Sequence, residues 1–214
     1  MSTPAQRMVS EQLLPQGVTD ERVLEVMAST PREEFLPAWQ RRHAYEDRAL
    51  AIECGQTISQ PLIVALMTQA ATPKPDDVAL EVGTGSGYQA AVLSRLCSRV
   101  ITLEREKLLA EKASATLTRL GYANVEVVVA DGSLGWPASA PYDLILVPCA
   151  ARLLPQPLVD QLAEGGRLVI PVVISSDGPQ DLRLYTRRGR KVTHRSLFPV
   201  LFVPLRPGAE VEPD

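Results

Sequence analysis

Two short runs of this 214-residue chain carry residue types that could do chemistry. The first is Glu81-Val-Gly83-Thr84-Gly85-Ser-Gly87-Tyr88, between the apolar run 78–82 and a helix-like stretch. Its glycines let the backbone turn sharply and let a ligand approach where a Cβ would collide. A dinucleotide loop needs G-x-G-x-x-G; here the glycines stand at 83, 85 and 87 and position 88 is tyrosine, which weakens that reading. Glu104 ends the next apolar run, 21 residues past Gly83, and Asp131-Gly132 ends the one after. Glu104 taken alone reads better as a solvated strand-end acid, but acids and glycines together at the ends of successive strands mark the ligand rim of an open α/β sheet. The second run is Gly55-Gln56-Thr57-Ile58-Ser59-Gln60-Pro61. Hydroxylated residues leading into a helix begun by proline would aim hydroxyls and backbone N–H groups at one spot, suited to an anionic oxygen. An ordinary serine N-cap is the competing reading.

The elements that must position these runs follow from periodicity. VALEV (78–82), RVITLE (99–104), VEVVVA (125–130), YDLILV (142–147) and RLVIPV (167–172) are continuously apolar, as strands covered on both faces are. Leu109, Ala113, Leu117 and Leu120 form a helical stripe ending at Gly121, and Gly165-Gly166 is expected to release another helix into the fifth strand. Asp20 is expected to cap a helix through Val23, Leu24 and Met27, and Pro61 to open another. The fold class implied is α/β, a doubly wound, mostly parallel sheet with N-terminal helices and two C-terminal antiparallel strands around a basic turn at 187–191. Thr72–Asp77 is a seam within one domain spanning 1–214: substrate-side elements over 1–72, a core over 73–173 and C-terminal strands over 174–214.

Composition narrows the partners. Net charge is −3, and the basic turn has no interleaved aromatic platform, so nucleic acid is not expected. Arg7 and Glu11 interrupt any N-terminal apolar run, so neither a signal segment nor a membrane span is expected. Cys54, Cys97 and Cys149 form no C-x-x-C pair, which points to a reducing cytoplasmic setting and away from a metal site. A Ser59–His194 hydrolase lacks the G-x-S-x-G elbow.

The glycine loop after an acidic strand resembles that of Rossmann-like S-adenosylmethionine-dependent methyltransferases. Gly-Gln-Thr-Ile-Ser-Gln-Pro61 with Leu80-Glu-Val-Gly-Thr-Gly-Ser-Gly-Tyr88 resembles the protein-L-isoaspartate (D-aspartate) O-methyltransferase family more specifically. Further agreement lies in Ala140-Pro-Tyr-Asp143, Gly165-Gly-Arg-Leu-Val-Ile-Pro-Val172 and Phe202-Val-Pro-Leu205, so the likeness runs from about residue 10 to 205. The resemblance implies methyl transfer from S-adenosylmethionine, leaving S-adenosylhomocysteine, to the free carboxylate of isoaspartyl or D-aspartyl residues in damaged proteins. It implies Ser59 as the active-site serine, and Gln56, Thr57, Ser59, Glu81, Gly83, Thr84, Gly85, Gly87, Glu104, Asp131 and Gly132 on the cofactor. It places Thr57, Ile58, Ser59, Val147 and Ala150 on the acceptor, and a monomer is expected.

A carboxylate is ionised at pH 7, so no general base is needed, which suits a chain with only two histidines, His43 and His194. Some residues depart from the family's pattern: Glu53-Cys54 stands where a glycine is usual, Ala130 precedes Asp-Gly, Val173 follows Pro-Val, and Pro148 replaces a small or hydroxylated residue. Proline has no N–H to offer an acceptor. Two other readings therefore stand beside the first: a methyltransferase for a dedicated peptide carboxylate, and a non-catalytic sensor of an adenosyl ligand or dinucleotide.

Overall fold

Asp20 begins the architecture as expected, its carboxylate accepting from Arg22 and Val23 N–H at the head of α2 (Glu21–Ser29). This satisfies donors a helix leaves unpaired in its first turn. Ahead of it lies α1 (Pro4–Met8), closed by a Thr3/Gln6 capping box. The helix α3 (Pro61–Ala71) follows a two-stranded ribbon of β1 (Leu50–Ala51) and β2 (Thr57–Ile58). The computed structural model describes residues 2–174 and 178–209.

The main sheet holds β3 (Val78–Val82), β4 (Arg99–Glu104), β5 (Val125–Val129), β6 (Tyr142–Leu146), β7 (Leu162–Val173), β8 (Gln180–Arg188) and β9 (Lys191–Val200), in the order β5-β4-β3-β6-β7-β8-β9. The pairs through β7 are parallel and those of β8 are antiparallel. The sheet is covered on both faces, which explains why its central strands read as unbroken apolar runs. Ala79, Leu144 and Leu146 pack into one core with the N-terminal helices, while Leu80, Val82 and Ile145 pack into the other. Helices α4 (Tyr88–Ser94), α5 (Lys107–Arg119) and α6 (Gln156–Asp160) connect the parallel strands. Leu109, Ala113 and Leu117 of α5 are buried as the stripe predicted, and Gly121 takes the left-handed φ of +81° just past its end.

The Gly165-Gly166 expectation fails. The helix α6 stops at Asp160, and β7 runs from Leu162 through both glycines. Gly165 has φ +73°, and a Cβ on Gly166 would stand 2.8 Å from the Ala163 carbonyl oxygen and 3.0 Å from that of Tyr142. The pair forms a bulge where the β6–β7 register shifts. A bulge and a helix stop both ask for glycine, so composition could not separate them.

Candidate active site

The order of strands reverses between β3 and β6, and in a doubly wound sheet this leaves a crevice beyond their carboxyl ends. Three openings meet there. A rim cavity of about 670 Å³, solvent mouth included, is walled by Gly83, Gly85, Glu104, Gly132, Cys149 and Leu205 among others. An inner cavity of about 440 Å³ reaches Glu81, Thr84, Gln89 and Ser59. A wider cleft of about 1190 Å³ lies between Ser59, Ile63 and the segment Pro199–Val203. Thr57 and Pro148 line all three.

The rim is built by backbone conformation. Gly83, Gly85 and Gly87 have φ of +102°, +53° and +87°, values a side chain would resist. Glu104 locks the loop, its Oε2 accepting Gly85 N–H at 2.8 Å while Oε1 accepts those of Arg105 and Glu106. Glu104 also lines the rim cavity, and a carboxylate oxygen can accept more than one hydrogen bond. Glu81 is fully buried at the inner wall; Thr102 donates to its Oε2 at 2.6 Å, and among the described residues Oε1 has no partner. Burial pushes the Glu81 carboxyl up to about 8, with the Thr102 hydroxyl opposing and the Glu104 charge adding. An orphaned buried carboxyl oxygen facing a cavity, with a second carboxylate on its rim, suits a ligand that brings cationic groups and a diol.

The acceptor side is built differently. Arg32, in the 3-10 turn Arg32–Phe35, donates from Nη2 to the Ser59 carbonyl at 2.6 Å and from Nε to the Ala44 carbonyl at 2.8 Å. The serine-cap reading does not hold: Gln60 is the N-cap residue of α3, without a side-chain hydrogen bond. The expectation that free N–H groups of α3 face an anion is also corrected. Asp47 Oδ1 accepts Leu62 N–H at 3.0 Å, and Ile63 and Val64 N–H are taken by the Gln60 carbonyl. Among the described residues the Ser59 hydroxyl is thus not spent on the helix. No charged side chain stands among the described lining of the wide cleft.

The structure brings Gln56, Thr57, Gly83, Gly85, Glu104 and Gly132 together on the rim cavity, and Thr57, Ile58, Ser59, Glu81 and Thr84 on the inner one. It places four others elsewhere. A Cβ on Gly87 would meet Ala113 and Leu117 of α5, so this glycine serves helix packing. The Asp131 carboxylate accepts from Ser133 N–H and Oγ and, at 2.6 Å, from Gly208 N–H, tying down the C-terminal segment. Val147 is buried in the second core, its N–H bonded to Val169, and Ala150 pairs with the 203–205 segment. Pro148 and Cys149 face the cavities in their stead. Sequence reasoning missed the Val203–Arg206 wall of the rim cavity; the Phe-Val-Pro-Leu run was visible, but not the long-range Ala150–Pro204 bridge that seats it.

Comparison with known proteins agrees with this geometry. The family model described as Protein-L-isoaspartate(D-aspartate) O-methyltransferase (PCMT) matches residues 5–210. The chain is 53% identical over 193 residues to protein-L-isoaspartate O-methyltransferase 2 of Nitrosococcus oceani, covering 90% of this chain and 87% of the relative. It is 52% identical over 198 residues to the protein-L-isoaspartate O-methyltransferase of Parvibaculum lavamentivorans, covering 92% and 89%. Among solved structures, one protein-L-isoaspartate O-methyltransferase superposes with a TM-score of 0.84 at 29% identity over 93% of this chain, which spans 65% of that longer chain. A Plasmodium falciparum structure described as a complex of this kind of enzyme with S-adenosyl-L-homocysteine gives 0.82 at 28% identity, covering 94% and 98%.

Proposed function

The chain belongs to the protein-L-isoaspartate(D-aspartate) O-methyltransferase family, and from that premise we propose a residue-level account of how it methylates isoaspartyl and D-aspartyl carboxylates in damaged proteins, with S-adenosylmethionine as donor. The donor supplies an electrophilic methyl group on a sulfonium when bound. Glu104 accepts the ribose hydroxyls, and the Gly83–Gly85 backbone admits the ligand closely. Glu81 faces its cationic end, and Gly132 with Leu205 walls the base. Gln56 through Ser59 form the partition with the acceptor.

The acceptor needs no base, because its carboxylate is ionised at neutral pH. Ser59 donates a hydrogen bond that orients one carboxylate oxygen, leaving the other free to attack in line. Placement of this kind is worth ~7–11 kcal/mol in favourable cases. The observation that carries the reading is the meeting of cofactor cavities and uncharged cleft at Thr57 and Pro148, beside a serine whose hydroxyl makes no hydrogen bond to the α3 helix among the described residues. The same reading takes the chain as a single domain, acting as a monomer in the cytoplasm on isoaspartyl proteins and not on nucleic acid. Among the described residues no helix is long and apolar enough to cross a membrane. The test is transfer of labelled methyl to an isoaspartyl peptide beside its aspartyl twin: label on the first alone is expected. Equal labelling of both would refute isoaspartyl specificity, and cofactor binding without any transfer would favour the sensor.

A further inference from the structure

One buried charge is left over at this site. Arg32 is 0% exposed, yet among the described residues it forms no ion pair, and its Nη1 has no hydrogen-bond partner. Its other donors go to neutral carbonyls, those of Ala44 and Ser59. The guanidinium lies 4.8 Å from the centre of the Tyr88 ring, at the start of α4. The nearby acids do not ion-pair with it: Glu33 accepts the Tyr45 hydroxyl, and Asp47, whose charge reaches Arg32 only at longer range, caps α3 and accepts from Gln16. A buried cation without an ion-pair partner is costly, and its two carbonyl bonds hold the backbone but do not answer its charge.

We propose that Arg32 is a positioning residue for the acceptor: it fixes the Ser59 peptide and sets a buried positive charge that has no direct ion-pair partner behind the Ser59 hydroxyl, and the acceptor carboxylate supplies the negative charge that answers it. This rests on the carboxyl-methylating reading above. It also gives the cycle a direction. As the carboxylate oxygen's electron pair forms the new C–O bond, the C–S pair passes to sulfur and no proton moves. The acceptor becomes a neutral ester, its attraction to Arg32 ends, and the product leaves.

The test is the ratio of two dissociation constants, measured by calorimetry on the full chain with S-adenosylhomocysteine bound: one for an isoaspartyl peptide, one for its α-methyl ester. A charge several ångströms away through protein is expected to favour the carboxylate by roughly 10–30-fold in the unmodified protein. Arg32→Met should bring the ratio close to one while leaving S-adenosylhomocysteine affinity within about twofold, and Arg32→Lys should restore part of it. A ratio near one in the unmodified protein, or the full ratio kept in Arg32→Met, overturns the proposal. Should Arg32→Met fail to fold, the unmodified ratio and Arg32→Lys still decide. An unmodified protein that methylates no isoaspartyl peptide removes the premise itself, whereas active protein with unchanged ratios sinks Arg32 alone.

Discussion

The cofactor cavities and the acceptor cleft share Thr57 and Pro148, and they are otherwise opposite in kind. The first are made by strand ends and left-handed glycines and are lined by charge of both signs, the acids Glu81, Glu104 and Glu106 and the rim arginines Arg105 and Arg206. The second is assembled from segments far apart in sequence, including β2, the first turn of α3 and the end of β9, and has no charged side chain among its described lining. On the proposed reading, a cationic donor and an anionic acceptor would meet walls of different design: charge contact for one, a hydroxyl backed by a remote cation for the other.

The sharpest way to break this comparison is Ser59→Ala, which removes a donor to a charged group and should lower kcat about 10–100-fold. Calorimetry with S-adenosylhomocysteine should show its affinity within about twofold of the original; joint loss of both would merge the two sides. Next comes Glu81→Gln, expected to weaken S-adenosylmethionine binding about tenfold at pH 8 with little change in acceptor KM. Because burial raises the Glu81 carboxyl to about 8, the empty protein holds that proton at neutral pH. Its contribution to stability is present below the unfolded value and is lost as pH rises through about 8. Cation binding favours the ionised form, so donor affinity should rise between pH 6 and pH 8, flanking the value of about 8 from below. A binding profile flat with pH, or one unchanged by Glu81→Gln, removes Glu81 from the donor's charge contact.

Smaller effects are expected where the two sides touch. Pro148→Ala restores an N–H at the junction and should lower acceptor KM by about 2–10-fold, the worth of one hydrogen bond, with S-adenosylhomocysteine affinity unmoved. An unchanged KM would mean the junction lacks an acceptor contact at 148. Cys54 is held at φ +55° in the turn before the acceptor run. Left-handed backbone strains a side chain, and glycine relieves it at some entropic cost, so Cys54→Gly should stabilise by about 0.5 kcal/mol in thermal unfolding. A loss of stability would show that Cys54 contacts outweigh the strain.

The two sides also differed in how far the sequence disclosed them. Glu104 and Gly132 could be assigned to the rim because strand ends and glycines are local signals that a sheet converts directly into position. Gly87 and Asp131 obeyed the same signals but serve α5 packing and the Gly208 tie; a local pattern cannot say which neighbour a strand-end residue meets. Residues 147–150 lie past the end of β6, where strand alternation no longer says which side chains point where, so the sequence could not show that Pro148 and Cys149, and not Val147 and Ala150, line the cavities. Arg32 stood in the sequence as one charge in a polar turn, and only tertiary contact with the Ser59 carbonyl gave it a role.

The central claim is that donor and acceptor meet beside Ser59. A crystal structure of the chain with S-adenosylhomocysteine and an isoaspartyl peptide tests it most directly. The account predicts the ribose on Glu104, the sulfur in the inner cavity, and the peptide's free carboxylate within hydrogen-bond reach of Ser59 Oγ, between Thr57 and Pro148. A carboxylate held elsewhere, or a wall closed between sulfur and peptide at those two residues, would contradict it.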